Sequence, residues 1–290
     1  MKQKIFTGSG VAIVTPFKDD KVDFNKLKEL IEFQIKNNTQ AIIICGTTGE
    51  SSTMSDEERK ETIKFTVDTV NKRIPVIAGT GGNNTKYAIE LSKYAESIGV
   101  DGILLVTPYY NKTTQRGLIE HYKAIANSVT VPIILYNVPS RTGMNISVDT
   151  YVELSKIPNI VATKEASGDL SHIAKIAKKC GDDLYIYSGN DDQILPILSL
   201  GGIGVISVLA NIKPYETNQM CEEYFNGNAS EATNLQLKYL DLINNLFIET
   251  NPIPVKQALN ELGYNVGDCR LPLYKMSDAN IEKLKQSLDC

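Results

Sequence analysis

The chain has 290 residues, 42% of them hydrophobic, and a formal net charge of −4. That length carries a large core, and one α/β barrel commonly takes about 250 residues. Acidic and basic residues are interspersed along the chain, which leaves no basic stripe for a nucleic acid and no polybasic amphipathic segment for a membrane surface.

Short apolar runs alternate with helical patterns. Residues 11–15 form the first strand candidate, and Asp23 then caps a helix with Phe24, Leu27, Leu30, Ile31 and Ile35 near helical spacing. A second strand at 41–45 precedes the capping box Ser55-Asp56-Glu57-Glu58, which opens a helix bearing Ile63, Val67 and Val70. A third strand at 75–79 leads to a helix over 88–98 that closes on Gly99, a residue suited to a helix end.

Strands at 102–107, 132–137, 160–164 and 184–188 follow, with Ser147 and Asp169 opening helices among them. Residues 193–212 carry no charge and are long enough to cross a bilayer. Pro196, Ser199, Gly201, Gly202, Gly204, Ser207 and Asn211 interrupt them, so they read as a short buried helix, a turn and a strand at 204–209. A helix over 213–225 comes next.

These eight candidate strands are rich in Ile, Val and Leu and nearly free of charge, as parallel strands covered on both faces are. Eight βα units in succession predict an α/β fold, a (β/α)8 TIM barrel over residues 1–226, with an open doubly wound sheet as the rival. From 227 to 290 the pattern turns helical, over 229–248, 255–262 and 278–288, and predicts a C-terminal helical extension.

The N-terminal residues lack a signal-type apolar stretch. Five cysteines, Cys45, Cys180, Cys221, Cys269 and Cys290, are an odd number without close pairs. They fit a reducing cytoplasm rather than a disulfide framework or a zinc ribbon. His121 and His172 are the only histidines, so chemistry that relies on a histidine-held metal is not expected.

Active sites of such barrels form at the C-terminal ends of the strands. Lys164 ends the apolar run Ile160-Val161-Ala162-Thr163-Lys164, and alternation puts it on one side with Ile160 and Ala162 while Glu165 turns to the other. A buried ammonium must be paired or lose its proton. A lysine at its usual pKa of about 10.4 is neutral in about one molecule in 2,500 at pH 7, and a working nucleophile needs roughly three units less. Burial alone can supply that. The ordinary alternative is a lysine that snorkels to water.

Three further strand ends carry polar residues. Gly46-Thr47-Thr48-Gly49-Glu50-Ser51 is no Walker loop; its backbone N–H groups and hydroxyls suit a carboxylate, although it also fits a plain tight turn. Thr107-Pro108-Tyr109-Tyr110-Asn111 and Tyr136-Asn137-Val138-Pro139-Ser140-Arg141-Thr142-Gly143 offer phenols for a proton relay and an arginine for a second carboxylate. Aromatic packing and a surface ion pair would also account for them singly. Their recurrence on successive strand ends points to a site.

These motifs, with Gly8-Ser-Gly-Val-Ala-Ile-Val-Thr-Pro16, Lys164-Glu-Ala-Ser-Gly-Asp169 and Tyr187-Ser-Gly-Asn-Asp-Asp192, resemble the dihydrodipicolinate synthase family of pyruvate-dependent class I aldolases over nearly the whole chain. The resemblance implies a cytoplasmic lyase of lysine and diaminopimelate biosynthesis. It would condense pyruvate with L-aspartate 4-semialdehyde to 4-hydroxy-tetrahydrodipicolinate. Lys164 would form the imine, Thr47 and Thr48 would hold the pyruvate carboxylate, and Gly189 and Ile206 would line its pocket. Tyr136 would relay protons with Thr47 and Tyr110, and Tyr110 would reach a neighbouring subunit's site in a homotetramer of two dimers. Arg141 would bind the semialdehyde carboxylate, which separates this family from the sialic acid lyases.

No metal or organic cofactor is implied, because the imine on Lys164 is itself the electron sink. The alternatives are a pyruvate aldolase acting on a 2-keto-3-deoxy sugar acid and a non-catalytic binding protein on the same barrel. One departure from the family stands out. Where lysine-inhibited members carry histidines and an acid, this chain has Asp56, Arg59 and Tyr87 beside the retained Ser51, Asn83 and Tyr109. Weak or absent inhibition by lysine is therefore expected.

Overall fold

A computed structural model describes residues 2–288 of the chain; Cys290 lies outside the described residues. Eight parallel strands form a closed barrel: β1 (Gly8–Ala12), β2 (Ala41–Ile44), β3 (Val76–Gly79), β4 (Gly102–Val106), β5 (Ile133–Asn137), β6 (Ile160–Glu165), β7 (Tyr185–Ser188) and β8 (Gly204–Ser207). Each pairs with the next in the chain, and β8 closes on β1. The expected (β/α)8 barrel is the observed fold.

Eight helices follow the strands in turn: α1 (Phe24–Lys36), α2 (Asp56–Val70), α3 (Thr85–Ser97), α4 (Gln115–Ala126), α5 (Val148–Leu154), α6 (Leu170–Cys180), α7 (Ile194–Ser199) and α8 (Pro214–Phe225). Asp23, Ser147 and Asp169 cap their helices as read from the sequence, and Ser55 with Glu58 closes both bonds of the capping box. The charge-free stretch resolves into α7, a turn and β8. No helix among the described residues is long and apolar enough to cross a membrane.

Alternation along each strand divides the core in two. Ile43, Ile77, Leu104, Ile134 and Ile206 fill the barrel, while Ile42, Ile44, Val76, Ala78, Ile103, Leu105, Ile133 and Leu135 pack outward against the helices. One expectation fails here. Ile160 does not share a side with Ala162 and Lys164 but belongs to the outer layer. Ile133 pairs with Ile160 and Ile134 with Ala162, so Val161 is an extra residue that resets the alternation.

The first strand begins earlier than predicted, at Gly8 rather than residue 11. The Gly8-Ser9-Gly10 run, left outside the predicted strand, belongs to it, and the barrel is tight there. A Cβ on Gly204 would lie 2.0 Å from the Gly8 carbonyl oxygen. A small hairpin, Phe17–Lys18 with Lys21–Val22, was not foreseen; Asp19 and Asp20 make its turn with φ of 51° and 56°.

The C-terminal extension forms α9 (Ala229–Lys238), α10 (Leu240–Asn245), α11 (Ile253–Glu261) and α12 (Asp278–Leu288). The expected single helix over 229–248 is thus two. The extension grips the mouth of the barrel. Lys256 and Glu50 form a buried ion pair at 2.9 Å, 2% and 0% exposed. The same ammonium bonds the Thr15 and Asp268 carbonyls, and the Arg270 N–H donates to the other Glu50 oxygen at 2.9 Å.

Candidate active site

Lys164 is the last residue but one of β6, lies inside the barrel and is 5% exposed. Its Nζ sits 4.5 Å from the centroid of the Tyr136 ring, which belongs to the facing residue of β5. Burial brings the amine down from the ordinary 10.5 to about 8. The Asp191 carboxylate opposes that fall and the Arg141 guanidinium adds to it. At about 8 roughly one lysine in ten is neutral at pH 7, against one in thousands for a free lysine.

Tyr136 is buried, and burial pushes its phenol up. Arg141 and a hydrogen bond with the Thr47 side chain act the other way. Thr47, Tyr136 and Arg141 line a common cavity of about 240 Å³ together with Gly46, Val138 and Thr142. Lys164 is not part of that wall; its Nζ lies against the ring of Tyr136, which is. The threonine turn is bracketed by two left-handed residues, Cys45 with φ 54° and Glu50 with φ 53°. Such backbone persists only where the surroundings hold it, and for Glu50 the Lys256 pair does so.

Thr48 lies just behind the wall, buried, with its Oγ1 accepting from Asn251 Nδ2 at 3.0 Å. Arg141 stands at the rim on the short helical turn Pro139–Thr142, and its Nη2 donates to the Asn251 carbonyl at 3.0 Å. Ile206 is buried in the barrel interior with Tyr136. Gly189 must be glycine, since a Cβ there would lie 2.9 Å from the Glu165 carbonyl oxygen. The structure therefore brings Lys164, Tyr136, Thr47, Thr48, Arg141, Gly189 and Ile206 to one end of the barrel.

Tyr110 is the exception. It is 92% exposed, has a left-handed backbone with φ 69°, and does not line the cavity of its own chain. Tyr109 lines the cavity instead.

Two residues of this end went unread in the sequence. Asn251 links Thr48 to Arg141, and only an Asn-Pro turn marked it. Asp191 is buried with its Oδ2 accepting from Val208 N and Leu209 N at 3.0 and 2.9 Å, and it is the negative charge that acts on Lys164. It sits in the quoted Tyr187–Asp192 motif, whose acids carried no strand pattern.

The cavity continues to Ser51, Ser52 and Arg59. Arg59 is buried; its Nη2 donates to the Gly79 carbonyl at 3.0 Å and its Nη1 to the Tyr87 hydroxyl at 3.3 Å, while Tyr87 donates to Asp56 at 2.5 Å. The three unusual positions are thus joined in one cluster.

Fold and mouth together define a class: a (β/α)8-barrel enzyme with a desolvated lysine packed against a tyrosine that lines a small cavity. The family follows from comparison with known proteins. Residues 5–290 match the dihydrodipicolinate synthetase family, and the chain belongs to it. The 4-hydroxy-tetrahydrodipicolinate synthases of Clostridium novyi (strain NT) and Clostridium tetani (strain Massachusetts / E88) are 61% and 64% identical to it, each over 98% of this chain and over 96% and 97% of their own lengths. Among solved structures, the chloride-inhibited dihydrodipicolinate synthase from Acinetobacter baumannii complexed with pyruvate matches with a TM-score of 0.96. It is 47% identical and covers 99% of this chain and 98% of its own.

Proposed function

We propose that this chain condenses pyruvate with L-aspartate 4-semialdehyde to 4-hydroxy-tetrahydrodipicolinate, on the route to lysine and diaminopimelate, with Lys164 as the nucleophile. The observation that carries the assignment is the lysine itself: an amine brought to about 8 by burial, lying against a tyrosine that is hydrogen-bonded to Thr47.

The neutral Lys164 Nζ adds to the pyruvate ketone, and loss of water leaves an imine. Thr47 and Thr48 take the carboxylate at the threonine turn. A methyl proton leaves, and the resulting enamine carbon attacks the aldehyde, whose oxygen is protonated through Tyr136 and Thr47. Arg141 at the rim holds the carboxylate of the second substrate. The amino group of the condensed chain then attacks the imine carbon, closes the ring and releases Lys164. The imine is the electron sink, so the reaction calls for no metal or organic cofactor.

Tyr110 serves the site of a neighbouring copy in a homotetramer built of two dimers; its exposure and left-handed backbone support this role. The enzyme works in the cytoplasm, a setting that agrees with free Cys45, Cys180, Cys221 and Cys269. The direct test is borohydride reduction in the presence of pyruvate. Lys164 should gain the reduced pyruvyl mass, and the reading fails if Lys164→Ala is labelled to the same extent.

A further inference from the structure

The site is braced by a carboxylate that faces away from it. Lys164 pairs with Tyr136 across β5 and β6, and the next rung pairs Glu165 with Asn137. Alternation turns Glu165 out of the barrel, where it is fully buried. Its Oε1 accepts from Asn137 Nδ2 at 2.7 Å and from the Tyr151 hydroxyl of α5 at 2.6 Å. Its Oε2 accepts from the Ser167 hydroxyl at 2.7 Å and the Ser167 N–H at 3.3 Å. An ionised carboxylate has about four lone-pair sites and no donor, so four neutral donors match it. A glutamine of the same shape would turn N–H groups toward one pair of those donors.

The bonds spread from there to the neighbouring strand ends. Asn137 Nδ2 also donates to Asn145 Oδ1 at 2.7 Å, and Asn137 Oδ1 accepts from the Ile146 N–H at 3.1 Å. Those two bonds return the segment that carries Arg141. The Glu165 carbonyl accepts the Gly189 N–H at 2.7 Å.

We infer that Glu165 is the positioning residue of this reaction: its carboxylate fixes the strand ends bearing Tyr136, Arg141 and Lys164 without touching a substrate. The inference rests on the imine chemistry proposed for Lys164. Its effect is on alignment rather than charge, since the charges that act on Lys164 are those of Asp191 and Arg141.

The test measures the rate and extent of borohydride-trapped pyruvate adduct in the parent, Glu165→Gln and Tyr151→Phe. In Glu165→Gln every chain should still trap pyruvate, but the first-order rate at saturating pyruvate should fall about 10²-fold, the cost of a displacement of about 1 Å. The KM for pyruvate should move by less than about 3-fold, because alignment and not binding is lost. The pH midpoint of trapping should stay where it is in the parent. Tyr151→Phe removes one donor, away from the site, and should slow trapping in the same direction by a smaller factor, which keeps the test open if Glu165→Gln yields no folded protein.

Parent-like trapping rates in the folded variants overturn the inference. So does a loss that arises only from a smaller fraction of chains able to trap, or a displaced pH midpoint. A parent that traps no pyruvate overturns the imine reading and this inference with it, and that is read before any variant is made.

Discussion

The ammonium carbon chain of Lys164 ends with its Nζ 4.5 Å from the ring centroid of Tyr136, the residue it faces across the β5–β6 ladder. A cation over an aromatic face is attracted to it, yet burial still brings this amine to about 8. The neutral form adds to a ketone, so the rate of imine formation should rise with pH through about 8 and level off above it. Asp191 is the charge that holds the amine up. Asp191→Asn should move the midpoint to lower pH, as followed by initial trapping rates across a pH series; an unmoved or raised midpoint would show that Asp191 does not act on the lysine.

The same lysine weakens the fold. Its folded value lies below the ordinary 10.5, so between about pH 8 and 10.5 the unfolded chain binds more protons and stability rises with pH. At pH 7 the penalty is about 3 kcal/mol by the size of the shift. Lys164→Met should therefore melt at a higher temperature than the parent at pH 7, with the gap shrinking toward pH 10. Calorimetry at the two pH values checks both signs.

Arg141 is held at the rim by one bond to the Asn251 carbonyl. Arg141→Ala should leave the pyruvate adduct intact and lower kcat/KM for aspartate semialdehyde about 10²-fold, the worth of a lost charge-assisted pair. A panel of aldehydes run with the parent separates this substrate from those of the sugar-acid aldolases. Equal loss of adduct formation and turnover would make the arginine structural.

If Tyr110 completes the site of another copy, two inactive variants should rescue each other. Tyr110→Phe and Lys164→Ala, each nearly inactive alone, should regain activity when mixed subunits assemble, because one site of each mixed pair then has both residues. Absence of rescue in verified mixed assemblies would place Tyr110 outside the chemistry.

Arg59, tied to Gly79, Tyr87 and Asp56, puts a guanidinium into the cleft beside the proposed site. It repels the amino groups of free lysine, so activity should change little at low millimolar lysine. A titration with strong inhibition in that range would contradict this.

Much of this was legible in the chain. The eight strands and the caps at Asp23, Ser55, Ser147 and Asp169 follow from local patterns that the barrel preserves. The site residues were legible where a motif sat on a strand end, as with Lys164 and Tyr136. What escaped is non-local. Val161 shifts the alternation only because β5 and β6 meet out of step. Asn251 and Lys256 reach the mouth from the extension, over a sequence distance that no periodicity encodes. Burial of Glu165 could not be read either, since its four donors come from Asn137, Tyr151 and Ser167, and the first two meet it only in the closed barrel.

The clasp between Glu50 and Lys256, locked further by Arg270, has a consequence for how the molecule is made. A nascent chain that has emerged only as far as α8 already carries the lysine, both threonines and the rim arginine. Its Glu50 carboxylate still lacks a counter-ion, and the turn it steadies lacks its brace. The enzyme therefore comes of age late in its own synthesis: the opening segment of the message writes the pocket, and the closing segment must leave the ribosome before that pocket can be set.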